Sequence, residues 1–241
     1  MPDSSTKRKV RLFTCADLNS TVKAEIHGLF LHHADIRWIN IDQAHITINF
    51  LGEASIDQIE PAKEIIAKIA AKTRSIPIKL SGVQVIRDQV TNKGTMIWIA
   101  VDDTAGELTE LHKVLKSEFE QAGIDTKQKD RSYVPHILIG RYVGDDNLAD
   151  SHPVITHLQN FYKTAPLEVK FISLYESIMR PEGAEHIFLG GSPMADALEP
   201  EDIIVNDYDN WDPADSGAGS DLGGPDTIPQ GTTDAIDPSE D

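Results

Sequence analysis

The last fifty residues of this 241-residue chain hold fourteen acids and no Lys, Arg or His, which limits how much of it can build a core. After Gly191 the acids run from Asp196 to Asp241. Pro213, Pro225, Pro229 and Pro238 alternate there with Gly217, Gly219, Gly223, Gly224 and Gly231. So much like charge with so few large apolar side chains cannot bury enough surface to offset the entropy of ordering, so residues 192–241 are expected to form a disordered acidic tail. The stretch from Ile203 to Trp211 differs, because apolar and aromatic residues sit among its acids. It suits a docking segment for a protein partner, or else it packs on the body or does nothing.

Setting the tail apart changes what the charge means. The formal net charge of −17 argues against a phosphate-rich partner. Residues 1–191, however, hold 25 acids against all 22 bases, a net charge of −3. A body so close to neutral does not exclude a phosphate-bearing ligand, but it offers no long basic track. The expected organisation is a flexible N-terminus over 1–9, one folded domain over 10–191, and the tail. No stretch approaches the ~20 apolar residues of a membrane span. The opening MPDSSTKRKV has basic residues but no apolar run, unlike a secretory signal. Cys15 is the only cysteine, which excludes an intrachain disulfide and a Cys-rich zinc site. A cytoplasmic protein without membrane attachment is the expectation.

Periodicity in the body alternates between strand and helix. Val10–Ala16, Ile36–Ile39, Ala44–Leu51, Ile76–Ile86, Thr95–Val101, Val134–Tyr142, Leu167–Ser177 and His186–Leu189 read as strands. Helices are expected from Asn19 or Ser20 to His33, over Ile56–Lys72 and Leu108–Ala122, and near 151–161, with Gly123 as a C-terminal cap. This mixed order predicts an α+β fold with sheets covered on one face by helices. Each half contains an alternating strand with a histidine near its start and one long amphipathic helix, a loose internal echo that fits two facing lobes.

Those two strands carry the chemistry. In His45-Ile46-Thr47-Ile48-Asn49-Phe50, strict alternation puts His45, Thr47 and Asn49 on one face and Ile46, Ile48 and Phe50 toward the core. In Val134-Pro135-His136-Ile137-Leu138-Ile139-Gly140-Arg141 the same rule buries Ile137 and Ile139 and points His136 and Leu138 the other way. Two imidazoles converging on one cleft suit in-line phosphoryl chemistry. One accepts a proton from the attacking oxygen, the other gives a proton to the leaving oxygen, and an adjacent hydroxyl holds phosphate oxygens. A strained cyclic phosphate needs no metal for this. The seven other histidines lack ligand-like spacing, and no HExxH, GxxxxGK[ST] or strand-linked GxGxxG pattern occurs. No metal or cofactor is therefore expected. Trp38, Trp98 and Phe13 read as core residues that could also border a base-stacking surface, and Lys93 as a plain surface-turn residue that could also contact a nucleic-acid backbone.

The paired His frames resemble the 2H phosphoesterase superfamily, marked by a His-x-Thr/Ser-x motif occurring twice. Within it the chain is most similar to the RNA 2′,3′-cyclic phosphodiesterases, historically called 2′-5′ RNA ligases. Val10-Arg11-Leu12-Phe13, Arg37-Trp38-Ile39, His45 through Glu53, Thr95 through Val101, Tyr133-Val134-Pro135-His136 and Gly140-Arg141 carry the likeness, over roughly residues 10–190. The resemblance implies a bilobal fold, two antiparallel-rich sheets facing a central cleft with helices outside. It also implies a hydrolase that opens a 2′,3′-cyclic phosphate at an RNA 3′ end, or in a small cyclic nucleotide, to a 2′-phosphate. His45 would then protonate the leaving oxygen, His136 activate water and Thr47 hold a phosphate oxygen.

The chain departs from the pattern at Leu138, where the family has Thr or Ser. One charge-assisted hydrogen bond, about 1.5–3 kcal/mol, is lost there. Arg141 or a backbone N–H could substitute, but strict alternation puts Arg141 opposite His136 unless a bulge intervenes. Asn49 stands where many relatives have a basic residue. The alternative reading is therefore an RNA-end or nucleotide-binding protein with little or no turnover. RNA ligation is suggested only by the family's old name, and no nucleotide motif supports an ATP-dependent form.

Overall fold

A computed structural model of the chain describes residues 8–87, 94–126, 133–144, 147–162, 166–181 and 183–197. The expectations for 1–7, Lys93, the segment Ile203–Trp211 and the rest of the tail from 198 onward lie outside the described residues. Among the described residues, nine strands and four α-helices follow in the order β1 (Lys9–Asp17), α1 (Ser20–His27), β2 (Ile36–Trp38), β3 (His45–Ser55), α2 (Ile59–Ala70), β4 (Ile76–Arg87), β5 (Gly94–Asp102), α3 (Glu107–Gln121), β6 (His136–Tyr142), α4 (Pro153–Phe161), β7 (Pro166–Val169), β8 (Phe171–Arg180) and β9 (Gly183–Pro193). Short 3-10 turns cover Ile41–Gln43 and Ile56–Gln58.

The strands pair antiparallel in the order β7-β4-β5-β6-β3-β1-β8-β9, with β2 beside β6. The α+β class is as expected. The two sets of strands are continuous with each other through a single pairing, Ile46 with Ile137, so β3 and β6 meet at the middle and then splay. Those two isoleucines and Ile97 and Ile99 beside them are fully buried on the helix-covered face. His45, Thr47, His136 and Leu138 therefore lie on the opposite, open face.

Local sequence accounts for the helices. In α2, Ala62, Ile66 and Ile69 recur at helical spacing and are buried, and the Ser55 N–H donates to Gln58 Oε1 at 2.8 Å just before it. In α3, Leu108, Leu111, His112, Leu115 and Phe119 are the buried face. The Asp103 carboxylate accepts from the N–H groups of Leu108 and Thr109, and Gly123 follows the helix at φ +74°. Both long helices pack together under β3, β8 and β9, whereas α4 lies under β4, so the echo of one long helix per half is not how the halves are covered. Helix α1 stops at His27 rather than His33. At its start the Asn19 side chain accepts from the Val22 N–H at 2.8 Å, and past its end Phe30 stacks on Trp38, ring centroids 4.5 Å apart.

The expected strand over Leu167–Ser177 is two strands. Lys170 alone separates β7, at one end of the strand order, from β8, beside β1 near the other. Two strands so far apart in the order can be one residue apart in sequence only if the sheet curls into a half-barrel. After β9 the chain still packs on the core: Met194 and Ala197 are buried, and Ala195 N–H donates to the Thr73 carbonyl. Among the described residues no helix is long and apolar enough to cross a membrane.

Candidate active site

The open face owes its residues to two β-bulges that strict alternation does not foresee. In β3, Thr47 pairs with Cys15 and Asn49 with Thr14, so Ile48 is an extra residue. Pairing partners share a face, and the bulge exchanges the faces beyond it. Asn49, expected beside His45, is buried on the helix side, where its Nδ2 donates to the His112 carbonyl at 3.1 Å. Its identity therefore has no direct bearing on a phosphate in the cleft. Phe50, expected in the core, comes to the open face beside Phe13. In β6, Leu138 pairs with Trp98 and Gly140 with Ile97, which leaves Ile139 as the extra residue. Arg141 is thereby carried to the face of His136 and Leu138, through the bulge that such a role requires.

The β3 bulge is held by three side chains. Tyr133 Oη donates to the Thr47 carbonyl at 3.0 Å, His112 Nδ1–H donates to the Ile48 carbonyl at 2.7 Å, and the Asn49 N–H donates to Thr14 Oγ1 at 3.1 Å. Each takes up a backbone group that a bulge frees from the ladder. The rings of His112 and Tyr133 stack 4.4 Å apart and within 5° of parallel. Motif patterns do not single out His112, although it lies in the apolar stripe of α3, four residues after Leu108 and three before Leu115.

His45 and His136 are mounted alike. His45 Nδ1 donates to the Gln43 carbonyl at 2.7 Å and His136 Nδ1 to the Val134 carbonyl at 2.8 Å, each two residues upstream. This fixes the same tautomer in both and leaves Nε2 for chemistry. His45 Nε2 accepts from Thr47 Oγ1 at 3.1 Å, so the expected pairing of imidazole and hydroxyl exists. On β6 the corresponding position is Leu138, and His136 instead stacks on Trp98 at 3.5 Å. Of the residues expected to border a stacking surface, Phe13 is enclosed among His45, Phe50, Tyr175 and His186, and Trp38 donates its indole N–H to the Leu31 carbonyl.

A third imidazole stands close by. His186 on β9 meets His45 edge to face, centroids 5.1 Å apart. No sequence signal distinguishes it, because it reaches His45 only through the pairing of β9 with β8, of β8 with β1 and of β1 with β3. Burial pushes the His45 pKa down to about 4, partly opposed by the Gln43 carbonyl, with His136 pushing it down further. Burial also lowers His136. His186 is lowered to about 4 by burial and by His45. All three imidazoles are thus neutral near pH 7 in the free protein. Among the described residues no group of three or more His, Cys, Asp or Glu side chains is placed to hold a metal ion.

Two identically mounted imidazoles on adjoining strands of a curled antiparallel α+β sheet define the class of two-histidine phosphoesterases. Solved structures share the fold. A protein of Thermus thermophilus superposes with a TM-score of 0.60 at 17% identity, over 77% of this chain and 98% of that one. LigT of E. coli complexed with 3′-AMP superposes with a TM-score of 0.58 at 18% identity, over 78% and 99%. By sequence, the RNA 2′,3′-cyclic phosphodiesterase of Methanocaldococcus jannaschii is 30% identical over 72% of this chain and 95% of its own length. That of Methanothermobacter thermautotrophicus is 24% identical over 73% and 94%. Residues 24–178 match the 2′-5′ RNA ligase superfamily, and the chain belongs to that family.

Proposed function

We propose that this protein is an RNA 2′,3′-cyclic 3′-phosphodiesterase that works without a metal or cofactor. The observation that carries this is the matched mounting of His45 and His136, each with Nδ1 on a carbonyl and Nε2 left for chemistry. Water attacks phosphorus and gives its proton to His136 Nε2. The P–O3′ bond breaks as His45 Nε2 protonates the departing 3′ oxygen, leaving a 2′-phosphate and a free 3′-hydroxyl. His45 takes up its proton when the phosphate anion enters, because a nearby negative charge raises an imidazole pKa. Thr47 Oγ1 holds a phosphate oxygen, and Arg141 contacts the substrate farther along the same face.

The substrate is an RNA 3′ end or a small cyclic nucleotide, and we place the protein in the cytoplasm. Purified protein is assayed on an oligonucleotide ending in a 2′,3′-cyclic phosphate, beside His45→Ala and His136→Ala. Product in the wild type and none in either variant is the expected result. No product in the wild type, or unchanged product in both variants, overturns the assignment. Leu138 favours a second reading, in which the cleft binds RNA termini without turnover. End binding with no product over long incubation would establish it.

The acidic segment beyond the folded body is proposed to discourage unspecific RNA contact or to dock a partner. Met194 and Ala197 are buried, so the truncation that tests this begins after Ala197. Unchanged RNA affinity, salt dependence and partner binding would leave neither role standing.

A further inference from the structure

Arg37 on β2 and Arg141 on β6 are direct partners in the sheet, between the pairs Ile36–Tyr142 and Trp38–Gly140. Like charges directly opposite across an antiparallel pair are destabilising. The two residues also share a face, and it is the open one. Arg141 pairs on its other side with Met96, which lies on the same side of β5 as Trp98 and Ala100, the partners of Leu138 and His136. Both arginines are exposed, and among the described residues neither has a carboxylate within ion-pair distance. By contrast Arg87, one strand beyond Met96, is engaged by Asp150. The arrangement keeps two guanidinium forks side by side, with no opposing carboxylate among the described residues, on the wall that leads to His136.

We propose that Arg37 and Arg141 form a clamp for a backbone phosphodiester upstream of the reacting end. The inference rests on the reading of the cleft as a site for RNA 3′ ends and adds a requirement for chain length. Arg141 lies five residues from His136 with one of them in a bulge, so at the rise of a strand their Cα atoms are about 13–17 Å apart, and Arg37 stands on the next strand over. A cyclic phosphate between His45 and His136 stays beside the imidazoles, whereas the phosphodiesters preceding it run on toward the two forks. The planar fork of Arg grips phosphate oxygens in pairs, and two forks facing one anion turn a repulsive contact into a bridged one.

The test compares kcat/KM for a nucleoside 2′,3′-cyclic monophosphate with that for a short oligoribonucleotide bearing the same cyclic end, in wild type, Arg37→Gln, Arg37→Lys and the double variant Arg37→Gln/Arg141→Gln. The ratio of oligonucleotide to mononucleotide is expected to fall about tenfold in Arg37→Gln and further in the double variant, with partial recovery in Arg37→Lys. The salt dependence of the oligonucleotide reaction is expected to flatten, and Tm to stay level or rise as repulsion is relieved. A ratio that stays at the wild-type value, or equal losses on both substrates with a lowered Tm, overturns the clamp. If the wild type turns over neither substrate, the phosphodiesterase reading has failed, and the clamp is judged separately. Equilibrium binding of a 3′-phosphorylated oligonucleotide, set against that of a 3′-mononucleotide, must then show the same change of ratio.

Discussion

His112 Nδ1–H donates to the carbonyl of Ile48 at 2.7 Å, so a helix on the covered side of the sheet fixes the strand one residue beyond Thr47. Ile48 is the extra residue of the bulge that turns Asn49 inward and Phe50 outward. The helix packing beneath the sheet is in this way tied to the geometry of the hydroxyl above it.

Thr14→Val tests that link. Valine keeps the shape but leaves the buried Asn49 N–H without its acceptor, at a cost of about 1–3 kcal/mol. The expected result is a lower denaturation midpoint, and a fall in turnover that exceeds any change in KM as Thr47 loses its placement. Combined with His112→Leu, the losses should be non-additive, because both variants act on one bulge. Additive losses, with turnover intact, would show that the bulge is not held as a unit.

The pH dependence of catalysis follows from burial of both imidazoles. His45 is lowered to about 4 and His136 below its ordinary 6.5. The kcat/KM profile, which reports the free enzyme, should therefore peak below pH 6.5, with apparent values that belong to the pair. The kcat profile should lie at higher pH, since bound phosphate raises the acid's pKa. An NMR titration should show the His45 ring titrating upward when inorganic phosphate is added. A kcat/KM maximum above pH 7 would contradict the assignment.

Stability should also depend on pH. His45, His112, His136 and His186 are all lowered in the folded state, so between pH 6.5 and about 4 the unfolded chain binds more protons. Stability is then fully present above pH 6.5 and is lost as pH falls through that window. His45 alone accounts for a loss on the order of 3 kcal/mol. Asp17, raised chiefly by burial, opposes this over the lower part of the window. Chemical denaturation at pH 7.5, 6 and 5 measures the slope; a midpoint that rises on acidification would refute it.

Leu138→Thr restores the motif hydroxyl on the open face, where Leu138 is half-buried beside His136. The rate is expected to rise about tenfold or more, as expected for one added hydrogen bond to a charged phosphate. Stability should not improve, because apolar surface is lost. An unchanged or lower rate would show that the site is built around the leucine.

Residues with a strong local signal were legible in the sequence. Ala62, Ile66 and Ile69 announce α2, and the alternation around Ile46 and Ile137 places His45 and His136 on the open face without any knowledge of pairing. Alternation does not carry past a bulge. Asn49, Phe50 and Arg141 change faces because Ile48 and Ile139 are extra residues relative to neighbouring strands. Nothing within a strand reveals that. His186 is hidden for a similar reason, since its contact with His45 arises through three successive pairings, β9 with β8, β8 with β1 and β1 with β3. The split of β7 from β8 at Lys170 shows the same limit, since a continuous apolar run does not reveal where a chain changes partners.

That single-residue junction leaves the chain no slack in length. Val169 pairs with Ile76 and Ser173 with Cys15, so Lys170 and the first residues of β8 alone carry the chain from one partner to the other. Side chains alternate along a strand, and a slip of one position exchanges every face. Adding or removing one residue at Lys170 should therefore slide β8 against β1 and turn Ser173 and Tyr175, which donate to Asp17, away from it. A change of length at this point is expected to cost the fold far more than a change of side chain.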